Sequence, residues 1–190
     1  MVHFPHINNV MYRLFGTSPP TRACVAVDVP PPIRVRLDAV GCSELHPGDR
    51  KALHVQSMSY WAPANIGPYS QCVAVRQYLV ALSPHFVYLS RLLKIDQRMF
   101  ISGQIGLIPG SMTMPSPRSL PLEVALSLQH ARRISLCMSG MLAYGVAGEE
   151  IVQSAVLWLA KSSPRDVQAV AEAWNKQSSV CKTQSLVYIL

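Results

Sequence analysis

The chain has 190 residues, which is room for one domain or for one domain and part of a second. Apolar residues make up 49% of it and charged residues 14%, a balance that excludes wholesale disorder and predicts a globular, soluble protein. The net charge of +7 is scattered along the chain and does not by itself indicate a nucleic-acid face.

The first predicted elements are a helix and two strands. Apolar residues recur at helical spacing over Phe4–Phe15, and Gly16 ends the run. Alternation of apolar and polar residues then predicts strands over Arg22–Val29 and Ile33–Val40, which Pro30–Pro32 separates. Residues 1–40 are therefore expected to be helix–strand–strand.

A polar stretch over residues 41–51 is predicted to be a linker, because it contains proline and glycine at turn spacing. After it come a short strand over Leu53–Met58 and a loop over Ala62–Pro68. Ser70–Val75 and Arg98–Gln104 are predicted to pair as a hairpin. Residues 76–94 are too long for a hairpin connection, and we interpret them as an insertion.

The last third of the chain is predicted to be helix, strand and helix. Leu122–Tyr144 has the period of a long helix, Ile151–Ala160 is typical of a strand, and Pro164–Lys176 follows Ser163 as its N-cap. Ser178–Leu190 is an apolar tail for which the pattern suggests no pairing. Strands with segregated helices indicate an α+β protein.

The cysteine pattern indicates a reducing compartment. There are five cysteines, an odd number, without a CxxC motif or a Cys/His cluster: Cys24, Cys42, Cys72, Cys137 and Cys181. This spacing argues against both a disulfide scaffold and a zinc site, so no metal is expected. The first residues lack the pattern of a signal peptide, and the apolar run over residues 78–93 is too short to cross a bilayer. We expect a cytoplasmic protein that does not enter a membrane.

Three motifs carry a resemblance to a known family: IGPYSQ (Ile66–Gln71), SGQIGLIPG (Ser102–Gly110) and PPTRACVAV (Pro19–Val27). They resemble the RidA family, also called YjgF, and in particular the RidA-like C-terminal region of diphthine–ammonia ligases. The tryptophan of SYWAPANIGPYSQ belongs to this likeness. The resemblance implies an α+β fold of the RidA/chorismate-mutase type, a two-layer sandwich with two helices on one face of a mixed sheet.

The order of the motifs resembles the end of one RidA-like unit followed by the start of the next. Residues 1–40 resemble the last third of a unit, and residues 52–176 the first two-thirds of a second unit with the insertion at 76–94. Residues 178–190 diverge from the family pattern. The two parts together have the elements of one circularly permuted domain, and the family resemblance implies a homotrimer.

The resemblance also implies a pocket for a small carboxylate-bearing ligand. RidA enzymes hydrolyse imines and enamines derived from amino acids, and an arginine holds the substrate carboxylate. Arg22 falls on that arginine. The substrate-binding residues implied by the motifs are Tyr69, Cys24, Ser102, Gly103 and Gln104.

One position departs from the family pattern. The family's water-orienting glutamate corresponds here to Arg36, and a cation cannot accept a proton from the attacking water. Asp38, on the same face of the predicted strand, is the candidate replacement.

Three functions remain open at this point. The first is an accessory or regulatory module of a diphthine–ammonia ligase, which serves diphthamide formation on elongation factor 2. The ATP-dependent chemistry would then lie elsewhere, because the phosphate-loop motif SGG does not occur in this sequence and no cofactor is expected here. The alternatives are an imine/enamine deaminase and an RNA-binding or endoribonuclease-like protein, although the scattered charge makes nucleic acid the weakest partner.

Overall fold

The computed structural model describes residues 3–41, 46, 48–79, 93–141, 154–159, 163–178 and 186–189. Within these residues it has three helices and five strands, in a mixed arrangement with an antiparallel sheet. The predicted α+β class is confirmed.

The first helix, α1, spans Phe4–Phe15 as the sequence predicts. It ends at Gly16, whose φ of 52° lies in the left-handed region that a residue without Cβ adopts most easily. None of its residues is buried, and large apolar side chains such as Leu14 stay exposed. The helix therefore contributes no core of its own.

The two strands predicted for Arg22–Val29 and Ile33–Val40 are wrong. The chain there is outside helices and strands, because no neighbouring strand in the described part of the chain accepts its backbone hydrogen bonds. The alternation of the sequence is real, yet its apolar side chains face solvent: Leu37 is 81% exposed.

A three-stranded antiparallel sheet forms the centre of the part of the chain that follows residue 48. Strand β1 (Arg50–Leu53) pairs with β2 (Cys72–Leu79), and β2 pairs with β3 (Leu93–Ile101). The predicted hairpin is confirmed, with Cys72 opposite Ile101. The strand predicted over Leu53–Met58 lies earlier, at β1, because Leu53 is the last residue that pairs with β2. The expected insertion at 76–94 is wrong at both ends, because residues 76–79 and 93–94 pair as parts of β2 and β3. Its middle, 80–92, lies outside the described residues.

One face of the sheet is covered by α2 (Leu120–Met141), close to the predicted Leu122–Tyr144. Its inward side chains Ile134 and Met138 are 0% and 1% exposed. They pack with apolar residues of the sheet and its loops: Leu53, Val55, Ala62, Cys72 and Ala74. Deleting such a side chain typically costs about 2–5 kcal/mol, so this layer contact holds the part that follows residue 48 together.

A buried histidine of α2 makes stability depend on pH. His130 is 0% exposed, and its Nε2 donates to the carbonyl oxygen of Leu107 at 2.8 Å. Burial lowers the pKa of His130, and Arg133 lowers it further, although the bond to Leu107 opposes them. The free energy of unfolding is therefore expected to be level above about pH 7 and to fall, by at most about 1.4 kcal/mol per pH unit, between the unfolded pKa of about 6.5 and the lower folded one.

Urea unfolding of the wild type and of His130→Gln from pH 7.5 to 5 checks this expectation. Glutamine keeps a donor for Leu107 but does not titrate, so the variant should lose less stability on acidification. His54, whose pKa is also lowered by burial, is present in both proteins and cancels in the comparison. Equal pH slopes for the two proteins would contradict the assignment, and His6→Gln, at an exposed position of α1, is the control.

The last described elements are α3 (Pro164–Ser178) and a parallel pair of strands, β4 (Ser154–Leu157) and β5 (Leu186–Ile189). The predicted N-cap is present, since Asp166 N–H donates to Ser163 Oγ at 3.2 Å. The C-terminal tail, for which the sequence suggested no pairing, has β4 as its partner. Helix α3 packs on α2.

Within the ranges that the structure describes, no helix combines the length and the hydropathy needed to cross a membrane.

Candidate ligand-binding site

The residues before Arg22 dock on the end of the β2–β3 hairpin. Ser70 N–H donates to Pro20 O at 3.0 Å, and Gly103 N–H donates to Arg22 O at 3.1 Å. The guanidinium of Arg50 also donates to Pro19 O at 2.9 Å. Backbone carbonyls of the first segment (residues 3–41) thus accept hydrogen bonds from donors of the second segment (residues 48–141). These bonds fix the position of the Arg22 backbone.

The guanidinium of Arg22 lies close to two aromatic rings. Its Cζ is 5.4 Å from the ring centroid of Phe4 and 5.7 Å from that of Tyr69, both within cation–π range. Arg22 Nη1 is buried and has no hydrogen-bond partner. Leaving a charged donor unpaired is costly, so this atom is the clearest indication of a place for an anionic ligand.

Asn8 is a site residue that the sequence reasoning missed. Its Oδ1 is also buried without a hydrogen-bond partner. A Cβ built on Gly67 would lie 3.0 Å from Arg22 Nη2 and 3.6 Å from Asn8 Oδ1, so both groups border the same point. The available signal was the spacing of Phe4 and Asn8, which at i and i+4 lie on one face of α1.

Gly103 belongs to the same surroundings. A Cβ at this position would lie 3.3 Å from Ala23 Cβ and 3.4 Å from Ala23 Cα. The close approach of two backbones explains the glycine here. Arg22, Tyr69 and Gly103, which the sequence analysis assigned to one pocket, are therefore brought together.

Ser102 and Gln104 use their donors inside the protein. Ser102 Oγ donates to Gln71 O at 3.2 Å, and Gln104 Nε2 donates to Gln71 Oε1 at 2.9 Å and to Ser102 O at 3.0 Å. Gln71 Nε2 in turn donates to Pro63 O at 2.9 Å. This buried polar network joins the hairpin to the IGPYSQ loop, and the ligand-binding role of the two side chains stays a prediction.

The side chains of Cys24 and Asp38 are exposed. The Cys24 thiol is free and exposed. The Asp38 carboxylate is 3.4 Å from Arg36 Nε, and its side chain is 81% exposed. The described residues show no contact of Asp38 with Arg22, Tyr69 or Gly103, because the segment that was expected to bring it back as a strand pairs with nothing.

His54 lies beside Ser70, which hydrogen-bonds to the residues before Arg22, and it adds no charge there. Its Nε2 lies 3.5 Å from Ser70 Oγ. Burial, together with the neighbouring Arg50, lowers the pKa of His54, which keeps the ring neutral at pH 7. The described residues contain no group of three or more His, Cys, Asp or Glu side chains arranged to hold a metal ion.

Comparison of the sequence with known proteins finds diphthine–ammonia ligases. The diphthine–ammonia ligase of Schizosaccharomyces pombe is 37% identical over 139 residues, which are 73% of this chain and 19% of that protein. That of Saccharomyces cerevisiae is 34% identical over 142 residues, 68% of this chain and 18% of that protein. The chain is homologous to a segment of the diphthine–ammonia ligases. It spans about a fifth of the length of these relatives, and no protein-family model matches it.

Solved structures similar to this one are RidA-fold proteins. Escherichia coli TdcF with bound serine has a TM-score of 0.43 and 16% identity, over 70% of this chain and 80% of that one. A candidate endoribonuclease of Thermotoga maritima has a TM-score of 0.42 and 19% identity, with the same coverage of 70% and 80%.

Proposed function

We propose that this chain is an accessory, RidA-like module of a diphthine–ammonia ligase that holds a small carboxylate ligand at Arg22 and does not turn it over. Amide formation on elongation factor 2, with its ATP, would belong to the ligase's catalytic segment. The homology to diphthine–ammonia ligases over most of the chain supports this role.

The main support for a ligand at this site is the buried Arg22 Nη1, which has no hydrogen-bond partner. A carboxylate accepts two parallel hydrogen bonds from a guanidinium, and the rings of Phe4 and Tyr69 lie within cation–π range of the guanidinium of Arg22. Asn8 Oδ1, which also lacks a partner, is an acceptor for an N–H group of the same ligand. An amino-acid-like ligand presents a carboxylate and such a donor on adjacent atoms.

The surroundings of Arg22 favour binding over hydrolysis. Hydrolysis of an imine needs a group that takes a proton from water. In the part of the chain that the structure describes, Arg22 makes no ion pair, and its recorded neighbours are aromatic rings, an amide and backbone. Asp38, the candidate base, pairs with Arg36 instead.

Mixing the purified chain with a diphthine–ammonia ligase that lacks its own RidA-like region tests the module role. We expect a complex on size-exclusion chromatography with light scattering, and faster ATP-dependent amidation of diphthine on elongation factor 2. The absence of both a complex and a rate change would overturn the proposal. An unrelated soluble protein of equal size is the control for crowding effects.

The second candidate is an imine/enamine deaminase, which the convergence of Arg22, Tyr69 and Gly103 favours. Ammonia release from a freshly generated 2-imino acid separates the two. Turnover by the wild type that disappears in Arg22→Ala, without a change in oligomeric state, would establish the deaminase. A rate equal to the uncatalysed reaction is the result expected for the module.

A further inference from the structure

A turn that precedes the IGPYSQ loop presents two aromatic side chains to solvent. Residues Ser59–Ala62 are closed by Ser59 Oγ, which donates to Ala62 O at 2.8 Å and accepts from Ala62 N–H at 3.4 Å. Ala62 is 0% exposed and ties the turn to the core. Tyr60, by contrast, is 92% exposed and Trp61 37% exposed.

The backbone of this turn is tied to α2, and the Tyr60 ring lies close to Gly110. Arg133 Nη1 on α2 donates to Trp61 O at 3.1 Å. The Tyr60 ring lies on Gly110, where a Cβ would be 3.0 Å from Cε1 and 3.1 Å from Cδ1. Both rings are therefore presented from a backbone that is tied to α2 and to the core, which lowers the entropy lost when a partner binds.

The turn borders a shallow, mostly apolar groove, and the side chain of Arg133 supplies its positive charge. The groove is lined by Tyr60, Trp61, Arg133 and Leu136, of which Leu136 is 52% exposed. Arg133 makes no ion pair within the described ranges, and a guanidinium has more donors than the one that binds Trp61 O. The whole chain carries a net charge of +7.

We propose that this groove, called here the Tyr60–Trp61 groove, binds an acidic peptide segment of a partner protein, with a bulky apolar residue beside an Asp or Glu. The apolar residue packs between Tyr60, Trp61 and Leu136, and the carboxylate binds Arg133. Tryptophan, tyrosine and arginine are the residues that most often dominate the energy of protein interfaces. The complementary charge of such a peptide also speeds its association with a basic chain.

A single-stranded nucleic acid would use aromatic rings differently. It needs a track of several cations that follows its phosphates. Among the residues that the structure describes, one arginine lines this groove, and one of its donors is used by Trp61 O. The peptide is therefore the better match, and it is independent of the proposed ligand at Arg22.

Selection of a random dodecapeptide library displayed on phage against the intact chain tests the proposal. We expect enriched peptides with Asp or Glu next to Leu, Phe or Trp. When synthesised and measured by fluorescence anisotropy, they should bind Tyr60→Ala and Arg133→Gln about 30-fold more weakly than the wild type. Circular dichroism confirms that the variants are folded, and Arg133→Lys, which keeps the charge, should restore part of the affinity.

Matched substitutions elsewhere give the controls. Tyr12→Ala removes a tyrosine that is 68% exposed on α1, and Arg165→Gln removes an exposed arginine on α3. Both should bind like the wild type, as should Arg22→Ala, so that failure of the ligand pocket does not affect this test. No enrichment, equal binding by Tyr60→Ala, or binding of oligouridine in place of the peptides would each overturn the proposal.

Discussion

Gly106→Ala is expected to lower the free energy of unfolding by about 3 kcal/mol, the upper range for overpacking a filled site. A Cβ on Gly106 would lie 2.6 Å from both Cα and O of Glu123, and 2.9 Å from its backbone C. These atoms belong to the first turn of α2, so relief requires the helix to move away from the loop. Urea unfolding followed by circular dichroism measures the loss as a lower midpoint at unchanged m-value.

Gly140→Ala is the matched control. This glycine lies near the end of the same helix, and a Cβ there has nothing within 4 Å. Alanine in an unobstructed helical position is expected to stabilise by about 0.5–1 kcal/mol. Both substitutions add one methyl group, Gly106→Ala against α2 and Gly140→Ala within it. The expected changes in the free energy of unfolding have opposite signs. A similar change in both would mean that the contact of Gly106 with α2 does not limit stability.

The sequence predicted best where an element depends on its own residues. The bounds of α1 follow from a periodic pattern and from Gly16, whose φ of 52° stops the helix. The start of α3 follows from Ser163 in the same way, because a cap uses neighbouring backbone donors. Neither required any knowledge of what packs nearby.

Strands depend on partners, and two of the predicted strands did not form although the hairpin did. The alternation over Arg22–Val29 and Ile33–Val40 is typical of a strand, yet a strand exists only where another strand takes its hydrogen bonds. In the C-terminal tail a strand was missed, because β5 pairs in parallel with β4. A short apolar segment has no sequence feature that indicates a parallel partner.

The candidate site shows the same division. Arg22, Tyr69 and Gly103 were found because they belong to recognisable motifs, whereas Asn8 belongs to none and was identified by its unpartnered Oδ1. Asp38 was placed by assuming a strand that does not form. The site is assembled across the two segments, since α1 and Arg22 come from the first and Tyr69 with Gly67 from the second. Docking of the first segment therefore makes the pocket, which no local pattern could reveal.

Removal of the Arg22 guanidinium is expected to weaken the binding of small carboxylates by about 10–100-fold, because a hydrogen bond to a charged group is worth about 1.5–3 kcal/mol. NMR titration of the full chain with glycine and with acetate measures the effect in Arg22→Gln. Arg34→Gln, at an exposed position of the neighbouring extended segment, is the control and should bind like the wild type. Equal affinities in all three proteins would show that the unpaired Nη1 is not a ligand site.

Two further variants test whether the ligand touches the groups around Arg22 or responds to the arginine's charge alone. Asn8→Ala should weaken glycine but not acetate, since only glycine has an N–H group for Oδ1. Gly67→Ala places a methyl group 3.0 Å from Arg22 Nη2 without removing any charge, so it should weaken both ligands while stability stays near the wild type. If Gly67→Ala bound normally and Arg22→Gln did not, the arginine would act on the ligand from a distance, through its field. Loss in both would establish direct contact, because only a ligand that touches the guanidinium competes with that methyl group for space.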